Sequence, residues 1–364
     1  MKEFFIRLFK GLLFLIGVSL AARFTGYLIS KKDFWLTQDA IVVAAFALVF
    51  FLLRAGAKNE RWQRAWLRLK KDRTGMIAFA VILIYLGLGA LELLQIPDHT
   101  RGSRSILDAL TSGIPNERTY SAPLADELFG SVRGERLEGR HLLGTDVLGK
   151  DVLVQTLKAC RTALIIGGLT TAIYIPFGTL MGILAGYFRR WVDDLIQYIY
   201  STLASIPEIL LLVAILLTLG KGLGSMSLAL GVTGWVGLCR LIRGETMRQS
   251  ERPYVTAARA LGQTHWKIVT RHLLPNVMHL VLISAVLGFS NIVLAEAILS
   301  YLGVGAPVGT SSWGAMIDSG RTELSRDPFV WWNITAATVA LFGLVLSLNL
   351  LGDSLRRAFD PKRG

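Results

Sequence analysis

The sequence predicts an all-α integral membrane protein with six main transmembrane helices. Hydrophobic residues make up 52% of its 364 residues, and the mean hydropathy of +0.50 is too high for a soluble domain. Six apolar runs reach or approach the roughly 20 helical residues that cross a bilayer. These runs are residues 75–96, 163–188, 195–219, 226–243, 277–300 and 331–352. The net charge of +13 would suggest nucleic-acid binding in a soluble protein, but here it fits basic loops beside a membrane.

Two weaker apolar runs precede these six, at residues 11–30 and 37–53. The first contains Arg23, whereas the second has an uninterrupted apolar core from Ala40 to Leu53. We expect both runs to span the membrane as an extra N-terminal hairpin. Packing at the membrane surface is the alternative for each.

Loop charge predicts the orientation of the helices. Residues 54–73 hold eight Lys or Arg against two acids, and residues 240–275 hold seven against two. Because loops rich in Lys and Arg stay in the cytoplasm, both face inward. The long loop 97–162, with nine cations and nine acids, then faces outward. Alternation places both termini in the cytoplasm.

These features divide the chain into five parts. They are an N-terminal extension with two hydrophobic segments (1–60), a basic segment with the first main transmembrane helix (61–96), an extracytoplasmic loop (97–162), a membrane core (163–352) and a cytoplasmic tail (353–364). We find no internal repeat in the sequence.

Residues 251–276 are the most informative stretch, because they are polar and cationic yet lie between two apolar runs. Pro253 suits a helix N-terminus, the alanines after it favour helix with little bulk, and Gly262 suits a turn between two short helices. Pro275 is expected to mark the start of the next membrane helix. The pattern therefore predicts a helix, a glycine turn and a second helix. Such an element either rests on lipid headgroups or docks against a soluble partner.

The same stretch resembles the coupling segment of ABC importer permeases, which docks into a groove on the ATPase subunit. The matching positions are Ala257, Ala258, Gly262, Ile268, His272, Pro275 and Asn276. Thr256 stands where the family usually has Glu. The resemblance implies an ATPase-docking set made of Tyr254, Ala257, Ala258, Arg259, Gly262, His272 and Pro275. Residues 251–276 are called the coupling segment below.

The resemblance covers residues 65–362 and is specific to one family. Seven segments are similar, in the same order, to segments of dipeptide, oligopeptide and nickel ABC permeases. They are HLLGTDVLGKD (141–151), LAGYFRRWVDDLIQ (184–197), SIPEILLL (205–212), LALGVTGWVGLCRLIRGE (228–245), AILSYLGVG (297–305), SSWGAMIDSGR (311–321) and LNLLGDSLRRAFDPK (348–362). The resemblance implies a type I ABC importer permease fold. It also implies transport of peptides or similar small polar solutes by alternating access, with a nickel or metal complex as the alternative cargo.

The family resemblance also implies a location in the inner membrane of a bacterium, and it implies partners. These are a second homologous permease subunit, two ABC ATPase subunits and an extracytoplasmic solute-binding protein. ATP and Mg would bind to the ATPase subunits, so we expect no catalytic residue, cofactor or metal site in this chain. The five histidines are dispersed and the two cysteines have no neighbouring ligands, which agrees with that expectation.

One motif imitates a nucleotide site. Gly144, Gly149 and Lys150 have the spacing of a phosphate-binding loop, but Asp151 occupies the place of the Ser or Thr that binds magnesium. No strand pattern precedes the motif, and loop charge places it outside the cell. We expect a turn in which Asp151 caps the following helix.

Ionisable residues at membrane depth are costly and mark candidates for a transport pathway. Glu208 follows Pro207, which frees a backbone carbonyl and predicts a kink, and Glu296 lies near the outer end of its helix. For both acids, hydrogen bonding inside the helix bundle is an equal alternative. Glu92 is expected to reach water from a helix end.

The glycine-rich stretch 303–314 predicts an irregular outer loop. Gly303 and Gly305 within it are candidates for a gate over the pathway, and a plain surface loop is the alternative. Trp331 and Trp332 are expected to anchor their helix at the membrane interface.

Two other functions are compatible with the residues alone. An ATP-independent channel or secondary transporter would be supported by inverted repeats and a pair of broken helices, of which the sequence offers one candidate, at Pro207. A non-transporting scaffold would make the membrane acids dispensable.

Overall fold

A computed structural model describes residues 60–98, 102–129, 135–307 and 309–359, and most of these residues are helical. Residues 11–30 and 37–53, the expected hairpin, lie outside these ranges. The helices are α1 (Glu60–Lys71), α2 (Arg73–Leu93), α3 (Ile106–Leu110), α4 (Val152–Phe188), α5 (Arg190–Ala204), α6 (Glu208–Leu219), α7 (Leu223–Thr233), α8 (Trp235–Ser250), α9 (Pro253–Ala260), α10 (His265–Ile268), α11 (Leu274–Tyr301), α12 (Trp313–Glu323) and α13 (Trp332–Phe359). Strands β1 (Gln95–Asp98) and β2 (Gly102–Ser105) pair antiparallel, with Gln95 opposite Ser105.

Within the described residues, five helical stretches are long and apolar enough to cross a membrane. They are α2, α4, the joined α7 and α8, the stretch from α10 to the end of α11, and α13. The bent pair of α5 and α6 makes a sixth if it counts as one span, in agreement with the predicted number. The apolar run 163–188 is only part of a longer helix, because α4 begins at Val152. Its first turns include the charged residues Lys158 and Arg161, which an apolar run does not reveal.

Residues 195–219, predicted as one span, are interrupted. α5 ends at Ala204, α6 begins at Glu208, and the two helices bend by 85°. Pro207 lies in the break; it has no amide hydrogen to donate, and its ring disfavours helical conformation in the residue before it. The predicted kink is confirmed, but it is a full break rather than a bend within one helix.

The described residues fall into two compact units, one containing residues up to Leu164 with Ser311–Gly343 and the other Ile165–Thr310 with the residues from Leu344 onward. In the first unit, Ser105 Oγ donates to Glu92 Oε2 at 2.6 Å. Glu92 is buried, so the expectation that it reaches water is wrong: the strand pair and α3 follow α2 directly and supply its partner.

Trp332 also differs from its prediction. It is 2% exposed, and its Nε1 donates to the carbonyl of Thr145 at 2.9 Å. It is therefore an internal contact of the first unit and not an interface anchor, whereas Trp331 is exposed. In the sequence, a tryptophan at a helix end looks the same whether it anchors the helix at the membrane interface or is buried in the protein.

The second unit has a hydrophobic core to which α4, α5, α6, α7, α8, the coupling segment and α11 contribute. Glycines on one side of α4 allow α8 to approach closely. A Cβ atom on Gly182 would lie 2.8 Å from the carbonyl oxygen of Cys239, and one on Gly186 would lie 2.6 Å from that of Arg243. Small residues four apart permit this backbone contact between membrane helices. It fixes α8, and with it the start of the coupling segment, against the end of α4.

Candidate functional site

The coupling segment has the predicted helix, turn and second helix. α9 begins at Pro253 and ends at Ala260. Gly262 has φ +70°, a left-handed conformation that glycine adopts without the steric cost of a Cβ atom. α10 follows from His265. The local residue chemistry therefore determines this part of the fold.

The expected boundary at Pro275 is wrong. Residues 265–301 form one continuous helical stretch of 37 residues, in which Val269–Leu273 is a π-helical turn. The amide of Leu274 donates to the carbonyl of Val269, so the turn is one residue wider than an α-helical turn. The wider turn accommodates Pro275, which has no amide hydrogen and a ring that crowds the preceding turn of a regular helix.

One face of the coupling segment is buried in the core of the second unit. Val255, Ile268 and Leu273 are each 0% exposed, and Ala258 is 4% exposed. Ala258, predicted for docking, therefore points into the protein. This face holds the segment in place against the membrane helices.

The opposite face is exposed and partly apolar. Leu261 is 80% exposed and Trp266 is 72% exposed. Tyr254, Ala257 and Arg259, all predicted for docking, lie on exposed positions as well. Gly262 is exposed, and a Cβ atom there would meet nothing within 4 Å. This outer face presents aromatic and aliphatic groups beside cations.

Side-chain hydrogen bonds close the segment across its turn. His272 Nε2 lies 3.2 Å from Gln263 Oε1, and Asn276 Nδ2 donates to the carbonyl of His272 at 2.6 Å. Tyr254 Oη donates to Gln249 Oε1 at 2.7 Å and accepts from Asn276 Nδ2 at 3.2 Å. His272 therefore stabilises the turn from the inside, and Tyr254 links α8 to α11.

Sequence reasoning missed a support from the end of α4. Tyr187 Oη lies 2.8 Å from His265 Nδ1, and the Arg259 guanidinium carbon lies 5.0 Å from the centre of the Tyr187 ring. The segment GYFRR, an aromatic pair before two arginines, was available as a signal, but nothing local specified its partners. Tyr187 thus contacts both halves of the coupling segment.

Two of the pathway candidates come together through Ser300. Glu296 is 1% exposed, and Ser300 Oγ donates to its Oε1 at 2.7 Å. The same hydroxyl oxygen accepts from the amide of Ala306 at 3.2 Å, and a Cβ atom on Gly305 would lie 2.1 Å from it. Glycine is therefore required at Gly305, where the chain after α11 folds back onto the helix end.

The other pathway candidates are placed differently. Pro207 is the N-cap residue of α6, and Glu208 is its first residue, in an exposed position. Gly303 has φ +75° with open space around it. The irregular loop is shorter than expected, because α12 begins at Trp313.

The segment 141–151 has a structural role in the first unit. The amides of Leu148 and Lys150 both donate to Asp146 Oδ1 at 2.9 Å, so the backbone groups that a phosphate would need are occupied. Asp151 Oδ1 accepts from the amide of Val154 at 2.9 Å, as expected for a helix cap. Its Oδ2 lies 2.9 Å from His141 Nδ1.

A buried carboxyl group lies in the same unit. Tyr120 Oη donates to Glu323 Oε1 at 3.3 Å, and Asn333 Nδ2 donates to Glu323 Oε2 at 3.1 Å. Burial raises the pKa of Glu323, and the nearby Asp146 adds to this effect. Burial and the Glu323 charge raise the pKa of Tyr120 to about 12, so the phenol remains a donor at physiological pH.

Comparison with known proteins gives a consistent assignment. Residues 178–364, which include the coupling segment, match the model of the family described as "Binding-protein-dependent transport system inner membrane component". A putative peptide transport system permease protein of Brucella suis is 35% identical over 258 residues, which is 70% of this chain and 81% of that protein. The dipeptide transport system permease protein DppC of Lactococcus lactis is 28% identical over 313 residues, which is 83% of this chain and 90% of that protein.

A solved structure is also similar. The MetNI methionine ABC transporter, in an inward-facing conformation, contains a chain that is 22% identical, with a TM-score of 0.44. The match covers 57% of this chain and 96% of that chain.

The family match spans just over half of the chain, and its relatives are permease subunits of transporters whose ATPase is a separate subunit. The helices of this chain agree with an all-α membrane fold of the type I ABC importer class. Such permeases work with an ATPase, a substrate-binding protein and, in general, a second permease. The chain belongs to the binding-protein-dependent transport system inner membrane component family and is a membrane-spanning permease subunit of an ABC importer.

Proposed function

We propose that this permease translocates peptides or similar small polar solutes by alternating access, driven by ATPase subunits that dock on the coupling segment. The cargo is suggested by the names of the relatives, which are dipeptide, di/tripeptide, oligopeptide and glutathione permeases. ATP and Mg bind to the partner ATPase in this proposal, and this chain contributes no catalytic group.

The observation that carries the docking proposal is the exposed outer face of the coupling segment. Trp266 and Leu261 leave large apolar side chains uncovered in a segment whose other face is firmly held. Tyr254, Ala257 and Arg259 add aromatic, small and cationic groups on exposed positions of the same segment. Aromatic residues and arginine with apolar neighbours are typical of the energetically important parts of protein interfaces. A groove on an ATPase subunit is the occupant that fits this surface.

The mechanism follows from what the coupling segment is attached to. α8 ends at Ser250, immediately before it, and α11 continues from it without a break. A displacement of the outer face by ATPase closure would therefore move both helices together. Because a ligand can shift an equilibrium only through its different affinities for two states, docking must favour one orientation of these helices when ATP is bound.

The proposed topology places the coupling segment and both termini in the cytoplasm, as loop charge predicts. The full assembly would contain this chain, a second homologous permease, two ATPase subunits and an extracytoplasmic solute-binding protein. The binding protein would deliver cargo to the side that carries residues 97–162.

The docking test compares two tryptophans. In the assembled transporter, Trp266→Ala should lower retention of the ATPase during purification and should lower peptide uptake into proteoliposomes, while the permease pair stays intact. Trp331→Ala, which removes an exposed tryptophan outside the coupling segment, is the matched control and should behave like the native protein. Unchanged ATPase retention and uptake in Trp266→Ala would remove this residue from the docking surface and contradict the proposal.

The cargo test uses separate proteoliposomes that enclose the cognate binding protein in the lumen. Radiolabelled dipeptides and tripeptides loaded in the lumen should leave it only with ATP outside, since transport would proceed toward the ATPase side. A nickel–chelate complex serves as the competing substrate. Export of the complex from the lumen without export of any peptide would overturn the peptide assignment but leave the docking result unaffected.

A further inference from the structure

α1 is a short helix that precedes α2 by one residue. Its sequence, ERWQRAWLRLKK, alternates aromatic or aliphatic residues with cations, and it ends at Lys71, directly before Asp72 and α2. α2 is one of the helices that are long and apolar enough to cross a membrane. α1 therefore lies at the level where the chain enters the bilayer.

One side of α1 is packed against protein. Ala65 is 5% exposed and Leu69 is 3% exposed. The Trp66 ring makes an edge contact with Phe79 of α2, at 5.9 Å between ring centres and 82° between planes. Trp66 still leaves 42% of its surface exposed. The contact between residues on either side of the break holds α1 against the first turns of α2.

The exposed surface of α1 and the following turn is strongly cationic. Arg64, Lys70, Lys71 and Arg73 all lie on exposed positions within ten residues. The next exposed side chain along α2 that is apolar is Ile77, about 6 Å further along the helix axis at 1.5 Å per residue. The cations therefore stand directly beside the surface that enters hydrocarbon.

The acid at the break between the two helices has a backbone role. Asp72 Oδ1 accepts from the amides of Thr74 at 3.1 Å and Gly75 at 3.3 Å. It caps α2 and fixes the break between the two helices. Residues 60–73 contain two carboxylates, Glu60 and Asp72, against six Lys or Arg residues, so an excess of positive charge remains on α1 and the following turn.

We propose that α1 is a binding surface for anionic phospholipid headgroups of the inner leaflet. Clusters of Lys and Arg immediately beside a membrane helix are attracted to negatively charged lipids, and a basic amphipathic helix with tryptophan lies in the interface plane. Trp66 supplies the contact with the acyl boundary, and its ring lies 5.6 Å from Lys70 Nζ, which brings an aromatic ring and a cation to one headgroup position. The lipid would brace the start of α2.

The test measures amide hydrogen exchange of residues 61–71 in the assembled transporter, held in nanodiscs. Nanodiscs of phosphatidylcholine alone are compared with nanodiscs containing about one-third phosphatidylglycerol, at low and high salt. A ligand that binds only the folded helix reduces local opening by mass action. Exchange should therefore slow in phosphatidylglycerol, by about fivefold for each cation that engages a headgroup, and high salt should reverse the effect by screening.

Two variants identify the groups responsible. Arg64→Gln with Lys70→Gln and Lys71→Gln should abolish the lipid dependence, whereas Arg64→Lys with Lys70→Arg and Lys71→Arg should retain it. Removing three exposed cations elsewhere, with Arg118→Gln, Arg136→Gln and Arg140→Gln, controls for net charge and should retain it as well. Equal exchange in the two lipids, or a lipid effect that persists in the triple Gln variant, would overturn the proposal.

Discussion

Arg243 of α8 forms a two-point ion pair with Asp193 of α5, with Nε 2.5 Å from Oδ1 and Nη2 2.7 Å from Oδ2. Both side chains are mostly buried, at 23% and 11% exposure. The pair joins α5, the helix before the break at Pro207, to the helix that leads into the coupling segment. Planar two-point contacts of this kind are stronger than single ones and depend on the guanidinium shape.

We expect Asp193→Ala to destabilise the protein by about 3 kcal/mol, because it leaves a buried guanidinium without its partner. Arg243→Lys should cost less than Asp193→Ala, since the charge remains while the two-point geometry is lost. Thermal unfolding of the purified transporter measures both. Arg248→Ala, which breaks a more exposed pair with Glu245, is the control and should change stability by about 0.5 kcal/mol or less. Equal losses from the two Ala variants would contradict the prediction.

Substitutions at Gly262 test the effect of backbone strain on the turn of the coupling segment. Its φ of +70° and the open space around it mean that a side chain there would cost backbone energy but meet no atom. We expect Gly262→Ala to destabilise the turn by about 1 kcal/mol and Gly262→Asn to cost less. Hydrogen exchange of the amides at 260–268 measures the effect.

The matched control for this prediction is Gly244→Ala in α8. A Cβ atom added to this glycine would also meet nothing within 4 Å, and Gly244 has no positive φ. Alanine there should leave exchange unchanged or slow it, because alanine favours helix. If both alanine variants behaved alike, left-handed strain at Gly262 would not be the cause.

Glu323 should make the stability of the first unit depend on pH. Its pKa in the folded protein is raised above the ordinary value of 4.5, so its protonated form is favoured by folding. Stability from this group is fully present below 4.5 and is lost as pH rises through the folded pKa. We expect the melting temperature of the native protein, relative to that of Glu323→Gln, to be higher at about pH 4 than at about pH 8.

The comparison for this titration is Glu127→Gln, which neutralises an exposed acid of the same unit. Its pH profile should match that of the native protein. The prediction would be wrong if Glu323→Gln kept the native difference between the acidic and the alkaline condition, since no protonation of Glu323 would then be linked to folding.

Asp151 should be important for the start of α4. Asp151→Ala removes the cap on the amide of Val154, at a cost of about 1 kcal/mol, and leaves His141 Nδ1 buried without this partner, which costs about 1–3 kcal/mol more. Asp151→Asn keeps one oxygen for the amide of Val154 and presents its amide NH2 to His141 Nδ1, which accepts from it when the imidazole proton is on Nε2, so this variant should retain most of the stability. Chemical unfolding of the purified protein distinguishes the two. Similar losses in both variants would point to the charge of Asp151 rather than to its hydrogen bonds.

Local chemistry made part of this structure predictable. Pro253 and Gly262 determine where α9 begins and where its turn lies, Pro207 interrupts the predicted span, and Asp151 caps the residues that follow it. Each of these effects acts over a few residues, so the sequence contains all the information needed. The docking role of the coupling segment stays a prediction. Among the residues predicted for docking, Ala258 is buried, because periodicity alone did not specify which side of α9 faces the protein.

Contacts between distant residues were not predictable in the same way. Trp332 donates to a residue 187 positions away, and Tyr187 meets His265 across 78 positions. A tryptophan at a helix end and a tyrosine before two arginines are compatible with several environments. The π-helical turn before Pro275 also depends on how α10 and α11 align, which their separate patterns do not reveal.

The continuity of residues 265–301 has a geometric consequence. A helical stretch of 37 residues is about 55 Å long, with His265 at one end and the contact of Glu296, Ser300 and Gly305 at the other. A partner that shifts His265 therefore acts on the same helix that carries the buried Glu296, and no separate element has to transmit the displacement. Any bending at Val269–Leu273 would absorb the shift before it arrived. The stiffness of the turn Val269–Leu273 thus determines what fraction of a displacement at His265 reaches Glu296.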